Sequence, residues 1–94
     1  MKIIGLRELQ AFKDRHADVR SQVDAWRNEV ETAQWNTPLD VTERYASASI
    51  LSDNQVVFNL KGNKYRLLVK ISYKNKIVFV KKAGTHAEYS KWTL

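Results

Sequence analysis

Two alternating apolar runs separated by Gly62-Asn63 constrain this 94-residue chain more than any other feature. The pair Gly-Asn between Val56-Val57-Phe58-Asn59-Leu60-Lys61 and Lys64-Tyr65-Arg66-Leu67 marks a tight hairpin turn with positive φ at a central position. Counting outward, Lys61 faces Lys64, Leu60 faces Tyr65, Asn59 faces Arg66 and Phe58 faces Leu67. Successive strand residues point to opposite faces, so Phe58, Leu60, Tyr65 and Leu67 share a core face and Asn59, Lys61 and Arg66 share the other.

A chain of this length is expected to form one domain over 1–94, burying roughly 60 to 65 per cent of its unfolded surface. A large substrate must then bind on the outside. There is no cysteine, which removes disulfides and thiolate ligands, and His16 and His86 alone do not make a transition-metal site. No metal and no cofactor is expected. The apolar patch Ile3-Ile4-Gly5-Leu6 is broken at once by Arg7 and Glu8, too short for a signal peptide, and no run approaches a membrane span. The chain reads as soluble, uncleaved and cytoplasmic, with no membrane partner.

Charge divides unevenly. Residues 1–53 carry seven Lys/Arg against nine Asp/Glu, or −2, whereas residues 54–94 carry nine against Glu88 alone, or +8; together they give +6. Lysines such as Lys64, Lys74 and Lys76 at turns and edges serve solubility and discourage edge pairing. That does not explain Arg66, which sits inside a strand. A polyanion is the natural partner for such a surface, because neutralising phosphates releases counterions.

The pattern along the chain is α+β. After an extended Lys2-Ile3-Ile4, a first helix runs from Leu6 to about His16 with Leu6, Leu9 and Phe12 on one side. Val19, Val23, Trp26, Val30 and Ala33 recur at intervals of 4, 3, 4 and 3, the stripe of an amphipathic helix that must be covered. Trp26 reads as core, and Trp35 packs beneath the exit of this helix. Thr37-Pro38 opens a short helix through about Arg44, with Thr37 as N-cap. Tyr45 to Leu51 is irregular or a weak strand, and Asp53-Asn54 is a turn. Strands follow at about 55–61, 64–73 and 76–83. A Lys74-Asn75 turn pairs Tyr73 with Lys76, Ile71 with Val78 and Val69 with Val80, and on the other face sets Leu68 opposite Lys81 and Arg66 opposite Ala83. In this register Lys82 points toward the core, so it must escape at the sheet edge or the register must shift.

Thr85-His86-Ala87-Glu88 is a capping box that starts a terminal helical turn. His86 and Tyr89, three apart, share a face of it and can fold back beside Arg66. Cations, an amide and a phenol without a carboxylate partner suit phosphodiester chemistry. RNA cleavage by its own 2′-hydroxyl needs a base, an acid and cations to stabilise the dianionic phosphorane. DNA lacks that internal nucleophile, so the enzymatic reading points to RNA.

The region Trp35-Asn36-Thr37-Pro38, the run Val57 to Leu67 and the run Gly84-Thr85-His86-Ala87-Glu88-Tyr89, in this order, resemble the HigB-type toxins. The resemblance covers nearly the whole chain. It implies a RelE-like fold, with N-terminal helices packed on one face of a small antiparallel sheet. It further implies a metal-independent endoribonuclease, an mRNA interferase that cleaves translated mRNA on the ribosome, neutralised by a HigA-type helix-turn-helix antitoxin. Carried onto this sequence, the catalytic positions are Arg66, His86, Tyr89 and Lys81, and the RNA contacts Asn59, Lys61, Lys64 and Lys70. Arg66 would stabilise the phosphorane, His86 act as base or acid, and Tyr89 hydrogen-bond or stack. The chain departs from the pattern at Val80-Lys81-Lys82-Ala83, where an arginine followed by two large apolar residues is expected; Lys81 keeps the charge but loses the bidentate fork. The alternative is a non-catalytic RNA-binding or protein-interaction module derived from such a toxin. Only the enzyme requires Arg66, His86 and Tyr89 to converge.

Overall fold

In the computed structural model, which describes residues 1–94, the elements run β1 (Lys2–Ile4), α1 (Leu6–Arg15), α2 (Arg20–Thr32), α3 (Pro38–Arg44), β2 (Ser49–Ile50), β3 (Gln55–Leu60), β4 (Tyr65–Ser72), β5 (Ile77–Thr85) and α4 (His86–Tyr89). A 3-10 turn, Ala17–Val19, joins α1 to α2. The strands form one sheet in the order β1-β5-β4-β3-β2, antiparallel except that β1 lies parallel to β5. The α+β architecture is RelE-like, with α1, α2 and α3 on one face of the sheet. The extended start and the weak strand after α3 thus become the two edges.

The hairpin register follows the alternation: Leu60 pairs with Tyr65, Asn59 with Arg66 and Phe58 with Leu67. The turn is looser than a two-residue one. The ladder stops at Leu60 and Tyr65, and positive φ falls on Lys61 (54°) as well as Gly62 (65°). Lys61 therefore leaves the pleat, and its amide donates to Gln22 Oε1 at 2.6 Å, on the helix side. The second turn is similar: the ladder ends at Ser72 and Ile77 rather than at Tyr73 and Lys76, and Lys76 has φ 58°.

Phe58, Leu60, Leu67, Val69, Ile71, Val78 and Val80 are buried beneath the helices together with Leu9, Phe12, Val19, Val23, Trp26, Val30 and Val41. Trp26 meets Phe58 edge to face, ring centres 5.5 Å apart, and Trp35 stacks near Phe58 at 6.4 Å. Burial of such rings is the largest apolar contribution a domain this small can make. Leu6 is the exception on its helix, 37% exposed, because α1 starts at the sheet edge and only its next two turns reach the core. Gly5 opens α1 with φ 99°, and a Cβ there would lie 2.8 Å from the Val80 carbonyl oxygen, so the chain turns from β1 to α1 only through a residue without a side chain.

The register of β5 shifts. Val69 pairs with Val80, but Leu68 pairs with Lys82, Leu67 with Ala83 and Arg66 with Gly84, leaving Lys81 as the extra residue of a β-bulge. The expected pairings Leu68 with Lys81 and Arg66 with Ala83 are thereby replaced. Without the bulge Lys82 would enter the core, and an unpaired buried ammonium is far more costly than a locally broken ladder. With it, Ala83 goes inward and Lys82 stays out.

Candidate functional site

On the face away from the helices β4 presents Arg66, Leu68 and Lys70, while β5 contributes Lys82 and Gly84 beside them. Leu68 and Val57 point to this face yet are only 3% and 1% exposed. The C-terminal segment lies over it. Thr85 accepts the Glu88 amide at 3.2 Å and the Glu88 carboxylate accepts the Thr85 amide at 2.9 Å, so the capping box forms as its spacing requires. The Thr85 amide holds the Glu88 carboxyl below the usual carboxylate range. The His86 amide donates to the Lys64 carbonyl at 3.0 Å, fastening α4 to the hairpin turn.

Arg66 is anchored to the same turn. Its guanidinium donates to the Asn63 carbonyl at 2.8 Å and lies 5.4 Å from the Tyr89 ring centre. The His86 ring lies 6.5 Å from Tyr89. Arg66 and His86 are therefore both gathered around Tyr89 at one end of the open face. The chain's ion pairs draw on other cations, such as Lys13, Arg20, Arg27, Arg44, Lys64 and Lys70, and Arg66 keeps its charge uncompensated. A guanidinium fixed by a carbonyl and a ring, with donors to spare, is preorganised for an anion.

The remaining candidates are placed differently. Lys81 stands exposed in the bulge. Lys61 is exposed at the turn. Lys64 pairs with Asp18 at 2.8 Å, and the Tyr65 hydroxyl donates to the same carboxylate at 2.7 Å. These two hydrogen bonds hold the Asp18 carboxyl down at about 2 and push the Lys64 ammonium and the Tyr65 phenol up. The hairpin turn is thereby clamped to the 3-10 turn that leads into α2. Lys70 shares the open face but pairs with Asp53 at 3.0 Å. Asn59 donates from Nδ2 to the Ser47 carbonyl at 2.8 Å, tying the segment after α3 to the sheet.

Two residues of this face escaped the sequence reading. Lys82 faces outward only because of the bulge, and no local pattern announces the bulge except the awkwardness of Lys82 itself. Trp92 follows α4, its amide donating to the Tyr89 carbonyl at 3.0 Å, and its ring meets Tyr89 edge to face at 5.6 Å. The aromatic spacing Tyr89, Trp92 repeats the three-residue interval of His86, Tyr89 and was a signal available in the sequence.

Helices on one face of a small mixed sheet and an uncompensated cationic cluster under a C-terminal helical turn on the other define a RelE-like toxin fold. Residues 19–92 match the family model described as HigB_toxin, the RelE-like toxic component of a toxin-antitoxin system. The chain belongs to that family: it is the toxin of a toxin-antitoxin pair, and its partner is an antitoxin. No curated protein matched the sequence. No helix is long and apolar enough to cross a membrane.

Proposed function

We propose that residues 1–94 act as one domain, a cytoplasmic metal-independent endoribonuclease that cleaves translated mRNA on the ribosome and is silenced by a HigA-type helix-turn-helix antitoxin. The observation that carries this reading is Arg66, held by Asn63 and set against the Tyr89 ring without a carboxylate, with the His86 ring 6.5 Å from that same tyrosine. In this mechanism the 2′-hydroxyl attacks the adjacent phosphorus, its proton passes to a base, the 5′-oxygen leaves with a proton from an acid, and a 2′,3′-cyclic phosphate and a 5′-hydroxyl result. Arg66 neutralises the dianionic phosphorane, His86 transfers a proton at its ring nitrogen, and Tyr89 orients the nucleotide. Lys81 adds positive charge along the strand that leads to the site.

The test is controlled expression of the wild type and of Arg66→Ala, followed by analysis of the message ends. The variant should fold normally and lose about 10²- to 10³-fold in cleavage, the scale for removing one preorganised donor. Ends bearing a 5′-phosphate, or undiminished toxicity of the variant, would overturn the mechanism; retained RNA binding without cleavage by the wild type would favour the non-catalytic module.

A further inference from the structure

The reaction as drawn leaves Trp92 and Lys82 unused. Of the three tryptophans, Trp26 and Trp35 are buried at 1% and 6% exposure, whereas Trp92 is partly open to solvent. The Lys82 ammonium lies 5.8 Å from the Trp92 ring centre, Trp92 meets Tyr89 at 5.6 Å with the rings 83° apart, and Arg66 lies 5.4 Å from Tyr89. Two rings thus meet on the open face with a cation at each, in the order Arg66, Tyr89, Trp92, Lys82. Each nucleotide of a single strand offers a phosphate to a cation and a base to a ring, and proteins that hold such strands combine a basic track with stacking rings.

A purely structural role for Trp92, packed edge to face with Tyr89, accounts for an aromatic ring at this place. It does not account for Lys82, an exposed ammonium that makes no ion pair and lies over the ring instead. The near-perpendicular rings leave no slot for a base between them, so Trp92 can serve only a nucleotide other than the one held at Tyr89 and Arg66. Resting on the ribonuclease reading above, we infer that Trp92 and Lys82 form a second nucleotide subsite. Trp92 stacks the base of a nucleotide flanking the scissile phosphate, and Lys82 takes that nucleotide's phosphate.

Intrinsic fluorescence tests this directly, because an external quencher reaches Trp92 and not the two buried indoles. A short single-stranded RNA with 2′-O-methyl groups, which cannot be cleaved, is titrated into the full chain at low salt. RNA should shift Trp92 emission and shield it from iodide. Trp92→Ala should weaken binding about tenfold and Trp92→Phe should restore most of it. Lys82→Ala should reduce the salt slope by about one phosphate. Should Trp92→Ala lower the melting temperature, the wild-type quenching and the Trp92→Phe variant still decide the matter. A wild type that binds and cleaves RNA while Trp92 stays accessible to iodide, with Trp92→Ala binding as tightly, overturns the subsite and leaves the ribonuclease standing. A wild type that neither binds the analogue nor cleaves RNA overturns both.

Discussion

Asp18 shows how one side chain can fix the geometry of a site it does not enter. It receives Lys64 and Tyr65 at the base of the hairpin turn, whose Asn63 carbonyl holds Arg66 and whose Lys64 carbonyl holds α4. Its carboxyl sits at about 2 against an ordinary 3.8. A carboxyl lowered on folding stabilises the fold above its unfolded value, and that contribution is lost as pH falls through the folded value. Wild-type stability should therefore decline between about pH 4 and pH 2 more steeply than that of Asp18→Asn, as denaturant midpoints measured against pH would record. At neutral pH the variant should melt slightly earlier and cleave less, because the turn loosens. Gly5→Ala is a different case, acting through strain rather than charge: the left-handed φ costs about 1 to 3 kcal/mol in a side-chain-bearing residue, with the clash against Val80 in addition. Chemical denaturation should show at least that loss.

Among the elements, α4 is the one whose stability the site depends on most. It has four residues, too few to stand without its cap. Thr85→Ala should cost about 1 kcal/mol locally. Faster amide exchange at Ser90, Lys91 and Trp92, with little change in global melting and a clear fall in cleavage, is the expected pattern. Glu88 makes the same cap sensitive to acid. Its carboxyl is lowered by the Thr85 amide, so its contribution is complete above the ordinary carboxylate value and disappears as pH falls through the lowered one. The bulge in β5 is the second decisive element, for it converts an outward-inward conflict at Lys81-Lys82-Ala83 into a strand with the charge outside and the methyl group inside.

On the scale of the whole molecule, charge and core are segregated. The part of the chain that supplies β3, β4 and β5 carries +8, and α1, α2 and α3 cover the face opposite the cationic one. If four to six phosphates are contacted, a fourfold rise in salt should weaken RNA binding by about two orders of magnitude. A flat salt dependence would exclude a polyanion as the ligand of this face. Trp26→Ala, by contrast, removes a ring from the centre of the core and should cost about 3 to 5 kcal/mol, measured as loss of global stability with no selective effect on binding.

Hairpin register, core face, the α3 start at Thr37-Pro38 and the Thr85–Glu88 cap were all legible in the sequence. Each rests on interactions within a few residues or on a strict period of two, which local residue types specify. The placing of Arg66 on the open face followed from the same count. What the tertiary structure decided was the fate of residues whose partners are distant in the chain. Asp18 claimed Lys64, Asp53 claimed Lys70 and Ser47 claimed Asn59, three candidates whose side chains the fold engages in its own contacts. The bulge at Lys81 and the meeting of Lys82 with Trp92 belong to the same class. They arise because burying one charge costs more than interrupting one ladder, a comparison that exists only once β4 and the helices are in place against β5.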